Sequence, residues 1–258
     1  MALSTLSRSI AGSVVLITGA ASGMGRATAH VFADAGAELG LIDINPVPLQ
    51  AVVDEVLAAG GKAKAWTLDL SDRSAVAPVV DSVHDHFGRL DILVNNAGIS
   101  IPAPIDSDNY DAAWDMSIAV LLTAQVAMIR ASVDYLRQAA HPRIINIAST
   151  EALGATKFGS PYTAAKSGVV GLTRSMALEL GAEGITVNCV CPGPINTGMT
   201  AGIPSEQKEI FARRRTALKR YAEPEEVAHA TLSLALPASQ YITGVTLPVD
   251  GGLTIRNA

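Results

Sequence analysis

The stretch Val14-Val15-Leu16-Ile17-Thr18-Gly19-Ala20-Ala21-Ser22-Gly23-Met24-Gly25 decides the fold. Its first five residues are uncharged and mostly β-branched, which is the pattern of a buried strand. Three glycines follow within seven residues, and the amphipathic run MGRATAHVFADAG then reads as a helix. A strand that passes through glycines into a helix suits a bound pyrophosphate. Glycine lets the chain turn tightly and approach the anion, while the amides of the helix start point at it. The spacing is G-x-x-x-G-x-G, so the commoner G-x-G-x-x-G fingerprint is absent and the motif rests on its position between first strand and first helix. An ordinary Gly-rich turn is the competing reading.

Outward from this turn, short apolar runs alternate with longer amphipathic ones: AELGLID, PLQAVVDEVLAAGG, KAKAWTLDL, RSAVAPVVDSVHDHFG and DILVNNAG. In the second half a long helix is expected over about Tyr110 to Arg137, a strand at RIINIAS and a helix from Tyr162 to Leu180. ITVNCVC follows as a strand, PEEVAHATLSLAL as a helix and GVTLPVD as the last strand. Pro224 with Glu225 and Glu226 marks a helix start, because proline surrenders an amide that is unpaired there and the acids face the positive end of the dipole. The alternation predicts an α/β fold: one Rossmann-type, doubly wound parallel sheet of about seven strands with helices on both faces. No linker or low-complexity stretch divides the chain, so residues 1–258 are expected to form one domain, with a substrate-covering segment at about 193–222.

The 258 residues carry 19 Lys+Arg against 24 Asp+Glu, a formal charge of −5, which argues against nucleic-acid binding as the main activity. A composition 49% hydrophobic and 17% charged supports one large core. No apolar run approaches the roughly 20 residues of a membrane span, and the start MALSTLSRSIAGSVVLITGA lacks the pattern of a cleaved leader. A cytoplasmic protein without a membrane partner is expected. Cys189 and Cys191 sit in an apolar run, too close for a relaxed disulfide and too few for zinc, and are expected as core residues; no metal site is expected.

Asp43 ends the second strand, 18 residues after Gly25, where a carboxylate accepts hydrogen bonds from the adenosine ribose hydroxyls. A 2′-phosphate would meet its charge, and neither Ile44 nor Ser22 is basic, so NAD is favoured over NADP. A strand-end turn or a helix cap is the alternative for Asp43. Asp69, followed by Leu70 after the third strand, either contacts the adenine amine or caps the helix after Ser71.

Thr18-Gly19-(three)-Gly23-Met24-Gly25, Asn95-Asn96-Ala97-Gly98, Ser149, Tyr162-(three)-Lys166 and Pro192-Gly193 together resemble a classical short-chain dehydrogenase/reductase, over about Gly12 to Gly252. The resemblance implies that Asn95 ties the central strands and that Asn96, Ala97 and Gly98 line the cofactor. It places the carboxamide contact after Pro192-Gly193, at Ile195 and Thr197. It also implies a homotetramer in which the long helix and the Tyr162 helix pack against symmetry mates.

The chemistry has its own support in the residues. Tyr162 and Lys166 are four apart on a helix and share a face. A free tyrosine, with a pKa of about 10, is a poor base, but a nearby ammonium and a positive nicotinamide both favour the phenolate. Such a phenol accepts the proton of a substrate hydroxyl as hydride leaves, or returns it in reverse. Ser149 ends a strand at the carboxyl edge, where its hydroxyl can hold the substrate oxygen. Ser149, Tyr162 and Lys166 are the expected catalytic residues.

One position departs from the family's pattern. Seven residues after Trp114, where an Asn completes a water-holding tetrad, this chain has Leu121, and no Asn lies between Tyr110 and Gln138. Ser117, one turn earlier, either anchors a water or bonds back to the carbonyl four residues before it. Pocket candidates are Ile99 to Ile105, Glu151 to Leu153, Phe158, Met199, Ile203 and Phe211. Ile101, Leu153, Phe158, Met199 and Phe211 are expected to form an apolar wall, and Glu151 to point to solvent. Arg213, Arg214 and Arg215, flanked by acids, read as a solvated helix face. The expected function is NAD(H)-dependent hydride transfer to or from a small, mainly apolar secondary alcohol or ketone. The alternatives are a 3-oxoacyl-carrier-protein reductase, disfavoured by Glu179 and Glu183 at the end of the Tyr162 helix, and a non-enzymatic NAD-binding protein suggested by Leu121.

Overall fold

The structure, a computed structural model, describes residues 5–255. Met1–Ser4, the beginning of the expected leader-free start, and residues 256–258 of the expected domain lie outside them. Seven strands form one parallel sheet in the order β3-β2-β1-β4-β5-β6-β7. The strands are β1 (Val14–Thr18), β2 (Glu38–Asp43), β3 (Lys62–Thr67), β4 (Ile92–Asn95), β5 (Arg143–Ile147), β6 (Thr186–Pro192) and β7 (Thr246–Val249). The chain winds outward from β1 to β3, then crosses back to lay β4 beside β1. Ligands of such sheets bind at this reversal, outside the carboxyl ends of the strands.

Both faces of the sheet are covered, which is why β1, β4, β5 and β6 are buried along their whole length. On one face, α1 (Gly23–Asp34), α2 (Pro46–Ala58) and α8 (Pro224–Ala235) pack Phe32, Val52 and Val227 against Val15, Ile17 and Leu39. On the other, α3 (Arg73–Phe87), α5 (Ala124–Leu136) and α6 (Ser160–Leu180) bring Val80, Met128 and Leu180 onto Leu16, Leu93 and Ile144. The expected start at Pro224 is where α8 begins, with Glu223 and Glu226 forming a reciprocal capping box.

The long helix departs from the expectation of a continuous α-helix. It runs as α4 (Tyr110–Ile118), a π turn (Ala119–Thr123) and α5. Its apolar residues continue through all three parts, so the pattern alone gives no sign of the change in pitch. Contrary to the sequence expectation, Tyr110–Leu136 is long and apolar enough to cross a membrane, with a mean hydropathy of 1.7 in its most apolar window. In the fold it lies on α3, α6 and the sheet, and Leu121, Ala124, Met128 and Leu136 face the core. A further helix, α7 (Ser205–Arg215), lies within the expected covering segment. Cys189 and Cys191 are free thiols with no exposed surface, as expected of core residues.

Candidate active site

The glycine turn closes through contacts that only glycine permits. A Cβ on Gly25 would sit 2.0 Å from the Gly19 carbonyl oxygen, and one on Gly19 would sit 2.7 Å from the Ala97 Cα. Gly23 has φ +53° and packs its α-carbon face against Thr197. The α1 N-terminus is left bare: Ser22, exposed at the cap position, makes no side-chain capping bond, and the first turn, which includes Met24, holds no acid. Its first-turn amides therefore present donors and positive potential, which fits a dinucleotide pyrophosphate.

The walls of this cradle come from the neighbouring strand ends. Thr18 Oγ1 accepts from the amides of Asn96 and Ala97, and Asn96 Nδ2 donates to the Thr18 and Gly19 carbonyls, which joins β1 to β4 at the reversal point. Asp43 takes the Ala21 amide on Oδ2 at 3.0 Å and the Asn45 amide on Oδ1 at 3.0 Å. Its turn reading is thus realised, and the carboxylate anchors the glycine loop as well. Ile44 beside it is exposed. Asp69 accepts from the Ser71 amide and hydroxyl, with Leu70 buried behind it. The expectation that Asp69 caps the next helix is corrected, because Asp72 occupies the α3 cap and accepts from the Ser74 amide. Gly193 is held at β7, where a Cβ would lie 2.7 Å from the Asp250 Cα, so the chain after Pro192 can pass close to that strand. Ile195 is buried and bridges to Ala222, and Thr197 starts a single turn of 3-10 helix.

Polar side chains inside the sheet carry position from strand to helix. Asn95 Nδ2 donates to Asn146 Oδ1 at 2.9 Å, Asn146 Nδ2 to Thr173 Oγ1 at 3.0 Å, and Thr173 Oγ1 to the Val169 carbonyl. This chain of bonds ties β4 to β5 and β5 to the middle of α6, the helix that carries Tyr162 and Lys166. Asn146 and Thr173 were not singled out in the sequence. The signal was an Asn in the middle of the apolar strand RIINIAS.

Ser149, at the end of β5, and Tyr162, in the first turns of α6, line one cavity of about 300 Å³. Burial pushes the Tyr162 phenol above its ordinary value, and the Ser149 hydroxyl pulls it partly back. Lys166 is 2% exposed and donates to the Ile147 carbonyl at 2.7 Å, with Nζ 5.7 Å from the centre of the Tyr162 ring. Burial pushes its ammonium down to about 8. The ammonium is committed to the strand end, and Ser149 is the group that lowers Tyr162.

Leu121 lies in the π turn with no exposed surface, and a Cβ on Gly98 would touch both its Cδ2, at 3.6 Å, and Lys166 Nζ, at 4.0 Å. An apolar side chain and the lysine thus both border Gly98. Ser117 is equally buried, and among the described residues its hydroxyl has no partner, so of the two alternatives the back-bond to the carbonyl four residues earlier is not made.

The cavity wall differs from the expected one. Ile101, Met199 and Phe211 line it, joined by Pro194, Thr200, Tyr221 and Leu253. Leu153 and Phe158 do not, because the Thr150–Ala152 turn and the loop after it direct them outward, leaving them 44% and 48% exposed. Glu151, expected in solvent, is half-buried and lines the cavity with Thr156 and Lys157. Arg213 and Arg220 pair with Glu209 and Glu226 on exposed surface, in keeping with a solvated face.

A family model described as enoyl-(acyl carrier protein) reductase matches residues 19–254. The chain is 38% identical to the 3-oxoacyl-(acyl-carrier-protein) reductase FabG of Thermotoga maritima, over 95% of this chain and 98% of the other. It is 39% identical to the meso-2,3-butanediol dehydrogenase of Serratia marcescens, over 93% and 94%. Among solved structures, carveol dehydrogenase from Mycobacterium avium in complex with NAD superposes with a TM-score of 0.90 at 29% identity, over 96% and 99% of the two chains.

Proposed function

The chain belongs to the classical short-chain dehydrogenase/reductase family and is an oxidoreductase, and from that premise we propose that it transfers hydride between NAD(H) and a small secondary alcohol or ketone. The observation that carries the reading is the meeting of Ser149 and Tyr162 in one cavity, at the sheet edge that also holds the glycine cradle. NAD supplies the hydride acceptor, or in reverse the donor, as it is named in the carveol dehydrogenase complex.

In this reading Gly19, Ser22, Gly23, Met24 and Gly25 hold the pyrophosphate, with Asp43, Ile44, Asp69 and Leu70 on the adenosine side. Asn96, Ala97, Gly98, Pro192, Gly193, Ile195 and Thr197 line the nicotinamide half. Ser149 donates to the substrate oxygen, and the Tyr162 hydroxyl takes the carbinol proton or returns it to the carbonyl oxygen. Lys166 braces this end of α6 through Ile147 and offers its ammonium to the ribose hydroxyls. The mostly apolar wall favours hydrophobic substrates.

The protein is further proposed to be cytoplasmic, a single domain and a homotetramer. Leu178 on α6, 87% exposed, and Trp114 and Met116 on α4 leave apolar surface for symmetry mates. FabG likeness favours the carrier-bound 3-oxoacyl reductase as a second reading, although Glu179 and Glu183 at the end of α6 would repel an acidic carrier. The test is a panel of secondary alcohols, ketones and 3-oxoacyl thioesters, followed by nicotinamide absorbance with NAD(H) and NADP(H). Turnover of free alcohols with NAD supports the main reading, and turnover confined to carrier-bound thioesters replaces it with the second.

A further inference from the structure

Glu151 is an unusual group to find on an apolar cavity wall. It sits in the short turn that Ser149 caps, and its own amide donates to Ser149 Oγ at 3.1 Å, so carboxylate and substrate-facing hydroxyl belong to one rigid unit. Two threonine hydroxyls orient the carboxylate: Thr156 Oγ1 donates to Oε1 at 2.7 Å and Thr163 Oγ1 to Oε2 at 3.2 Å. Thr163 adjoins Tyr162 on α6, which brings the carboxylate onto the side of the cavity where the phenol lies. No lysine or arginine pairs with Glu151 among the described residues, and its charge is felt at Tyr162.

Each carboxylate oxygen has two acceptor positions, and the threonines use one apiece. Glu151 lines the same cavity as Ser149 and Tyr162, and its remaining acceptors are open to a ligand there. A carboxylate held in this way before any ligand arrives rewards a hydrogen-bond donor and penalises an apolar group that would leave it dry and unpaired. The charge also selects among donors. Glu151 repels a substrate carboxylate, and Lys157, on the same wall with its Nζ 4.6 Å from the Phe158 ring centre, opposes a substrate ammonium. A neutral hydroxyl satisfies both.

We propose that Glu151 is a specificity-determining residue that accepts a hydrogen bond from a second hydroxyl near the reacting carbinol, so that the substrates are neutral diols and the corresponding hydroxyketones. The inference rests on the oxidoreductase reading above and narrows its substrate class. It places the apolar wall of Ile101, Met199 and Phe211 around the carbon skeleton and the polar corner of Glu151, Thr156 and Thr163 around the second oxygen.

The test compares 1,2-cyclohexanediol, cis and trans, with cyclohexanol and 2-aminocyclohexanol, with NAD as oxidant, for the wild type, Glu151→Gln and Glu151→Ala. The wild type is expected to show kcat/KM at least about tenfold higher for one diol than for cyclohexanol, carried mainly by KM. Both variants are expected to lose about tenfold on that diol and less than about threefold on cyclohexanol. A parallel loss on both alcohols would make Glu151 a brace for the loop and overturn the proposal, as would a wild type that treats diol and cyclohexanol alike or prefers the amine. Each of those results leaves the oxidoreductase reading standing, because cyclohexanol is still oxidised. A wild type that oxidises no alcohol of the wider panel overturns both.

Discussion

Lys166 Nζ donates a 2.7 Å hydrogen bond to the backbone oxygen of Ile147, fastening the buried end of the side chain to the last residue of β5. The bond replaces only part of the hydration that an ammonium loses on burial, and the group's pKa falls to about 8 from 10.5. In the free protein this residue therefore costs stability while it is charged, and helps to hold the site's geometry while it does so.

That cost gives a signed pH dependence. Between about 8 and 10.5 the unfolded chain keeps a proton on this lysine that the folded chain has lost, so stability rises with pH across that window. Lys166→Met, which cannot titrate, is expected to be more stable than the wild type near pH 7, by about 3 kcal/mol at most. The advantage should shrink steadily toward about pH 10. Urea unfolding of the two cofactor-free proteins at several pH values measures the difference, and a constant difference would show that Lys166 is not depressed.

Tyr162→Phe removes the hydroxyl assigned to proton transfer and leaves the ring against α6. Turnover is expected to fall at least a thousandfold, on the order of what a lost general acid or base costs. NADH affinity should stay within about threefold, and stability within about 1 kcal/mol, since at most one hydroxyl hydrogen bond is lost. Steady-state rates and NADH fluorescence titration check the two halves. A variant keeping a tenth of its rate would assign the proton to another group.

Gly25→Ala forces a methyl group to within 2.0 Å of the Gly19 oxygen, a clash no side-chain movement can relieve because that oxygen is backbone and a Cβ has no torsion to turn it away. The loop must open, and NADH affinity is expected to drop at least about tenfold, with a stability loss of roughly 1–3 kcal/mol. Titration and thermal unfolding read both effects. Unchanged affinity would mean that the glycine turn does not hold the dinucleotide.

Asp43→Ala should narrow the discrimination between cofactors. The wild type is expected to favour NAD over NADP by at least about tenfold in kcat/KM, or about 1.4 kcal/mol. The variant should approach parity partly by losing NAD affinity, because Asp43 also holds the Ala21 amide of the glycine loop. Equal efficiencies in the wild type would remove Asp43 from cofactor selection.

The central strands and the helices packed on them were legible because an enclosed parallel sheet admits almost no charge, so short apolar runs stand out from the longer amphipathic runs between them. The helix α7 was covered only by a broad segment, since SEQKEIFARRR has no apolar stripe and owes its place to the loop it closes. The π turn was hidden for the opposite reason, in a run apolar on nearly every side. Within the site, Ser149, Tyr162, Lys166 and the glycines announce themselves by local spacing. The setting of Glu151 does not, because its two threonines lie five and twelve residues away and meet it only once the turn after β5 has folded against α6.

The two cysteines of the chain are both sealed in β6, without exposed surface. Maleimide chemistry can therefore be directed to a single introduced thiol. Ala140, exposed in the loop that enters β5, lies at the amino edge of the sheet, across the molecule from the cavity. An Ala140→Cys protein coupled to a bead or an electrode through that sulfur would stand with its cavity mouth facing the medium, an orientation that random lysine coupling cannot give.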